Sequence, residues 1–331
     1  MTLSLTTPPE GTVRDWLARR AEQGGTAIVF PEDGTRIDWA SLQAGALAFA
    51  GHLTARGAAK GESVAIAAPN SRDGIVALYG ALVGGFRATM INLAAGRDAI
   101  SYVLEHSEAR FAFVHPECRT LFDEANASAV TPVEPGGSDS AALHDVAADD
   151  HALLMYTSGT TGRPKGVLHS HASLLAGGWT TAIAHELGPA DRGFCVLPIY
   201  HINGLCVTLM GALVSGGSLA VTGRFSASRF WQQASDSEVT WFSAVPTIIS
   251  HLLHSDITPA LEARARLRFG RSASSPLAPD VQTAFETRFE VPIIETMGLT
   301  ETAAQILSNP LPPGVRKIGS PGKAYGNEAC I

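Results

Sequence analysis

Apolar and polar positions along the first third of the chain switch between two periods. Helical spacing runs from Val13 to Gln23, from Ser41 to Arg56 with Gly57 as a left-handed stop, and near Asp98 to His106; Asn70 or Ser71 can cap another helix. Between them lie short runs of strand composition: TAIVF (26–30), SVAIAAP (63–69), RATMINL (87–93) and RFAFVHP (110–116). EDGT (32–35) has turn chemistry and predicts a hairpin into RIDW. SVAIAAP is apolar without a break, as a strand covered on both faces must be. Strands alternating with helices of this length predict right-handed crossovers and a mainly parallel sheet.

The alternation pauses over 131–150, a stretch with five acidic side chains, no Lys or Arg, and no period. It then resumes with ALLMY, VLHSH, FCVLP, SLAVTG, VTWFSAV, RLRFGRS and VPIIE as strands. The longest apolar run, Gly204 to Val214, reads as a buried helix. From Gly314 the texture becomes Gly-rich and turn-like, and the chain stops inside what reads as a strand. The expected organisation is a first α/β subdomain over 1–150, a second over 151–310, and the start of a β-rich subdomain over 311–331.

Composition narrows the classes. With 45% apolar residues in 331, wholesale disorder is excluded, and 33 Gly with 19 Pro imply many loops. A formal charge of −7 argues against nucleic acid or an anionic membrane as the main partner. No secretory signal and no membrane-length apolar run appear, so no integral membrane segment is expected. Cys118, Cys195, Cys206 and Cys330 form no C-x-x-C pair, which makes a reduced cytoplasm the expected location. The pairs His169/His171 and His251/His254 have no third ligand in reach by sequence. No G-x-S-x-G elbow supports serine hydrolysis.

The strongest chemical signal is YTSGTTGRPKG, Tyr156 to Gly166, between two strand patterns. Gly159, Gly162 and Gly166 let backbone N–H groups converge. Thr157, Ser158, Thr160 and Thr161 add hydroxyl donors, and Lys165 adds charge. Such a loop suits a polyphosphate. It is not a Walker loop, because Pro precedes the Lys and Gly follows it where G-K-[ST] is required.

YTSGTTGRPKG resembles the signature loop of the adenylate-forming superfamily, which contains acyl- and aryl-CoA synthetases, luciferase-like enzymes and peptide-synthetase adenylation domains. ETMGLTET (295–302) resembles that family's Y-G-x-T-E segment, and SASSPL (272–277) its G-G-A-P-L segment. The resemblance implies an acetyl-CoA synthetase-like N-terminal domain: two stacked αβαβα subdomains with mainly parallel sheets, the start of a β-barrel subdomain, and no C-terminal small domain. It also implies ATP and Mg²⁺, CoA as co-substrate, and a small carboxylic acid activated as acyl-adenylate and then passed to a thiol. A homodimer is compatible with it.

By resemblance, Thr157 to Lys165 hold the β- and γ-phosphates, Thr300 bonds the α-phosphate, and Glu301 ligates Mg²⁺. Adenine would lie against Ser274, Ser275 and Pro276 on one side and the Glu295, Thr296, Met297 and Gly298 segment on the other. Met297 stands where the family has an aromatic, with a core role as the alternative. LPIYHINGL resembles the family's L-P-x-[FY]-H stretch, making His201 the candidate that orients or charge-balances the acid. Trp241, Phe242, Ser243 and Val245 correspond to pocket walls, with core packing as the alternative.

GRSASSPLAP and the tail resemble small-acid CoA ligases such as oxalate–CoA ligase. That branch often carries a second His beyond the pocket His and another after the Thr-Glu pair, where this chain has Asn203 and Ala304. Cationic partners for a second carboxylate are thereby lost, pointing to a short or anionic acid other than oxalate. The family's ribose Asp, hinge and catalytic Lys lie in a later portion, so the chain reads as an N-terminal part that adenylates poorly alone. The competing readings are an enzyme that loads a carrier protein and a non-catalytic nucleotide- or acid-binding lobe.

Overall fold

The computed structural model describes residues 4, 6–125, 130–134, 136, 141–157 and 163–330. Its strands are β1 (Thr26–Val29), β2 (Arg36–Asp38), β3 (Ser63–Ala67), β4 (Arg87–Met90), β5 (Phe111–Val114), β6 (Thr131–Pro132), β7 (His151–Thr157), β8 (Lys165–Ser170), β9 (Arg192–Cys195), β10 (Ser218–Val221), β11 (Trp241–Ala244), β12 (Phe269–Ser272), β13 (Ile293–Leu299), β14 (Ala304–Ser308) and β15 (Lys323–Ala324). Helices follow most of the parallel strands, as the alternating pattern requires.

The chain divides into two compact units. One comprises residues 10–25 and 38–174, and the other residues 1–9, 26–37 and 175–331. The division expected at residue 150 separates strands that pair. β7 lies beside β4 in parallel register (Ala88 with Leu153, Thr89 with Leu154), so 151–174 belong with the first α/β subdomain. The acidic stretch before β7 connects strands within one sheet rather than two subdomains.

The smaller unit is built on a six-stranded sheet in the order β6-β5-β3-β4-β7-β8, parallel except for the β7–β8 hairpin. Helix Val13–Gln23 opens with a reciprocal cap. The Asp15 N–H donates to Thr12 Oγ1 (3.2 Å) and the Thr12 N–H donates to Asp15 Oδ2 (2.8 Å). Ser71 caps helix Arg72–Gly84, accepting from the Gly74 N–H at 3.2 Å. That helix is buried from Gly74 to Gly84, and β3 is buried throughout, in keeping with the unbroken apolar run read from the sequence.

The larger unit is built on a nine-stranded sheet in the order β15-β14-β13-β12-β11-β9-β10-β1-β2. Strands β13 through β1 are parallel, while β14 and β15 add an antiparallel edge. Residues 311–331, expected to open a β-rich subdomain, contribute the two-residue β15 to that edge. One face of this sheet packs an aromatic core in which the Phe230 ring lies 5.3 Å from Phe194 and 5.1 Å from Phe242. The apolar run near 204–214 is helical but not uniform. A π-helical stretch, Leu205–Met210, interrupts it, and there the Thr208 hydroxyl donates to the Gly204 carbonyl.

Candidate active site

In the smaller unit the candidate residues stand on the β7–β8 hairpin. Thr157 and Lys165 are directly paired at its turn end, as the reading of a loop between two strands requires. Lys165 is exposed and Thr157 half-buried. Ser158, Gly159, Thr160, Thr161 and Gly162, the centre of the expected phosphate cradle, lie outside the described residues. Below the hairpin mouth, the Tyr156 hydroxyl bonds His106 Nδ1 at 2.8 Å, and burial pushes Tyr156 up to about 12. A cleft of about 400 Å³ beside this point is lined by Met90, Asn92, Val103, Tyr156, Thr157 and Pro164.

In the larger unit the candidates gather where parallel strands end. β9, β11, β12 and β13 run the same way, so the segments that follow them emerge on one edge of the sheet. His201 follows β9, Val245 follows β11, Ser274 to Pro276 follow β12, and Thr300 and Glu301 follow β13. The carboxyl edge of a parallel sheet is where ligands bind in open α/β folds.

Three hydrogen bonds tie these segments. Asn203 Nδ2 donates to Ser274 Oγ (3.2 Å), joining the segment after β9 to the loop after β12. The Leu277 N–H donates to Glu295 Oε1 (3.2 Å), and Thr296 Oγ1 donates to the Ser272 carbonyl (3.4 Å), joining that loop and strand to β13. Glu295 is buried, so it shapes the loop rather than presenting its carboxylate. Ser274 holds φ +75°, a left-handed conformation costly for a residue with a Cβ. Ser274, Ser275 and Pro276 are all exposed.

Met297 is 43% exposed, so the alternative of a core methionine is corrected; the side chain lies open beside the Ser274 loop's strand. Gly298 is required by packing. A Cβ there would sit 1.5 Å from the Ala304 carbonyl oxygen, at a bulge in the β13–β14 ladder. Thr300 and Glu301 occupy a single helical turn after β13, and the Glu301 carboxylate faces solvent. His201 is exposed, yet partial desolvation lowers its pKa from the usual imidazole value. It is therefore neutral at neutral pH, fit to orient an acid by hydrogen bonding rather than to balance its charge.

The proposed pocket walls separate. Phe242 belongs to the aromatic core, and Trp241 is buried and stacked on Phe269 at 5.7 Å. Both take the core alternative, because they precede the carboxyl end of β11. Ser243 points to the face opposite Phe242, where it meets a residue the sequence reading passed over. Arg271 Nη1 donates to Ser243 Oγ (3.1 Å) and to Asn203 Oδ1 (2.6 Å), and Nε donates to Gln305 Oε1 (3.3 Å). Arg271 is 1% exposed, and burial lowers it to about 9, leaving it protonated at neutral pH. The available signal was an arginine inside RLRFGRS. An interior parallel strand has no solvent face to receive it.

Among the described residues no group of three or more His, Cys, Asp or Glu side chains could hold a metal ion, and neither spaced His pair gains a third ligand. One exposed carboxylate beside a threonine fits a hard cation that arrives bound to phosphates and keeps several waters. Lys165, exposed at the hairpin mouth, fits a polyphosphate. No helix among the described residues is long and apolar enough to cross a membrane.

Residues 15–331 match the family described as AMP-binding enzyme. The chain is 41% identical over 319 residues to a sulfoacetate–CoA ligase from Cupriavidus necator, covering 92% of this chain and 62% of that protein. It is 31% identical over 292 residues to an oxalate–CoA ligase from Arabidopsis thaliana, covering 82% and 57% respectively. Among solved structures, ATP-bound MatB from Rhodopseudomonas palustris superposes with a TM-score of 0.86 at 27% identity, over 96% of this chain and 65% of that one. The chain thus spans about three-fifths of the length of these relatives.

Proposed function

The chain belongs to the family of AMP-binding enzymes, and from that premise we propose that it forms the nucleotide- and acid-binding part of an ATP-dependent carboxylic acid–CoA ligase acting in the cytoplasm on a short anionic acid. The observation that carries this reading is the Asn203–Ser274 hydrogen bond. It joins the segment assigned to the acid to the loop assigned to adenine, so both substrates would be presented on one sheet edge. The names of the relatives support CoA as acceptor rather than a carrier protein.

In the proposed reaction a carboxylate oxygen of the acid attacks the α-phosphorus of ATP, and the bond to pyrophosphate breaks. The CoA thiolate then attacks the acyl carbon and AMP leaves. Both partners of the first step are anionic, so cationic and hydrogen-bonding groups must offset their repulsion. Lys165, with Thr157 and the rest of the loop, would hold the β- and γ-phosphates. Neutral His201 would orient the reacting carboxylate. Thr300 would bond the α-phosphate, and Glu301 would hold Mg²⁺. A bound Mg²⁺ supplies charge that neutralises the phosphates. Met297 would lie against the purine through its thioether.

A panel of short acids, assayed in the full-length protein for ATP-dependent hydroxamate and for CoA thioester, tests the reading. Glu301→Ala should lose hydroxamate and thioester together, by on the order of 10²-fold. Unchanged turnover in that variant would remove the metal role assigned to Glu301. A phosphopantetheinyl carrier accepting the acyl group in place of CoA would overturn the acceptor.

A further inference from the structure

Arg271 is the most buried arginine of the larger unit and has no counter-charge there. It sits in β12, an interior strand with parallel neighbours on both sides, and Phe269 to Ser272 are all buried. Elsewhere in the same unit arginines meet carboxylates: Arg192 with Glu238, Arg268 with Asp191, and Arg316 with Glu286. The three hydrogen-bond acceptors of Arg271 are neutral, from Asn203, Ser243 and Gln305. Among the described residues no carboxylate lies within ion-pair distance of it. A guanidinium excluded from water and left unneutralised is costly unless an anion joins it.

Its surroundings say which anion. Asn203 lies two residues beyond His201, and Ser243 two residues before Val245, so its partners belong to the segments assigned to the acid. Asn203 also reaches the adenine-side loop through Ser274. The sequence had replaced the branch's extra histidines with Asn203 and Ala304, removing the cations expected for a second negative group. Arg271, within the GRSASSPLAP segment, supplies a cation from a different strand.

Resting on the ligase reading above, we propose that Arg271 recognises a second oxyanion on the acid substrate. The preferred acid then carries one carboxylate for activation and a carboxylate or sulfonate at its other end. His201, being neutral, leaves the net attraction for that second charge to Arg271.

The test uses the full-length protein with ATP and CoA, comparing each dianion with an uncharged isostere: sulfoacetate with 3,3-dimethylbutanoate, and malonate with 3-methylbutanoate. The two pairs also separate sulfonate from carboxylate. The wild type should favour a dianion by about 100-fold in kcat/KM. Arg271→Met should abolish that preference mainly through KM, the dianion losing about 100-fold more than its isostere. Arg271→Lys should fold and retain part of the preference, with an altered sulfonate-to-carboxylate ratio. Equal use of dianion and isostere by the wild type overturns the proposal while leaving the ligase reading intact. So does an Arg271→Met variant of native circular dichroism that loses both substrates equally. If Arg271→Met does not fold, unchanged selectivity in Arg271→Lys overturns it instead. Absence of hydroxamate and thioester from every acid defeats the ligase reading, and the proposal with it.

Discussion

The β7–β8 hairpin and the carboxyl edge of β9, β11, β12 and β13 carry the candidate chemistry in opposite ways. On the hairpin, backbone pairing does the structural task, and the Lys165 side chain extends into solvent. On the carboxyl edge, Asn203, Ser243, Arg271 and Gln305 are buried and bonded to one another, and Gly298 lies against a backbone carbonyl. On the proposed assignment, folding and recognition would use the same atoms at the edge and different atoms on the hairpin. A group whose position is fixed by burial is ready before the ligand arrives. On the role proposed for Lys165, a group on an exposed hairpin end would follow the pyrophosphate as it leaves.

The contrast can be broken by separating activity from stability. Lys165→Ala should cut adenylate formation by on the order of 10²–10³-fold and leave unfolding free energy within about 0.5 kcal/mol. A large drop in the denaturation midpoint would show that the hairpin lysine is structural after all. Gly298→Ala, unlike that variant, should lower stability along with activity. Its Cβ would stand 1.5 Å from the Ala304 oxygen, so β14 must shift, at a cost of about 3 kcal/mol. An unaltered urea midpoint for Gly298→Ala would remove the close-packing argument.

A smaller effect concerns two buried histidines, one in each unit. His185 Nδ1 bonds the Thr181 carbonyl at 2.8 Å, its ring stacks on Phe269 at 5.1 Å, and burial lowers it to about 3. His171 accepts from the Val13 N–H at 3.3 Å, and burial lowers it to about 4. Each native imidazole stays neutral below 6.5, where the unfolded one takes up a proton. The unfolded state then binds more protons, so stability rises with pH and is lost as pH falls from about 6.5. Between pH 7 and 5 each should cost about 1–2 kcal/mol. His185→Gln, which keeps a donor for Thr181, should flatten the slope; a slope equal to wild type in urea titrations would exclude His185 as its source.

Much of this was legible in the sequence because it is local. The Ser71 cap, the β3 run and the strand–loop–strand frame of Lys165 follow from neighbours along the chain. Sheet order was not legible. β4 meets β7 across the acidic stretch, and a compositional shift says nothing about pairing beyond it. The edge residues were found through their motifs, and Arg271, though inside GRSASSPLAP, was given no role because it precedes the 272–277 stretch assigned to adenine. Trp241 and Phe242 stayed open between pocket wall and core because position along a strand decides whether a side chain lines a pocket or fills the core. Strand ends are the least determined quantity in a sequence.

The sheet of the larger unit has a temporal side. β1 pairs Ile28 with Leu219, so this strand finds its neighbour only after roughly 190 further residues have been made. At ribosomal rates of about 5–20 residues per second it waits on the order of 10–40 s. Throughout that time TAIV is an apolar strand with unsatisfied backbone on the side β10 will cover. Its other sheet neighbour, β2, follows within a few residues, so of the two edges of β1 the one that β10 covers is the later to find its partner.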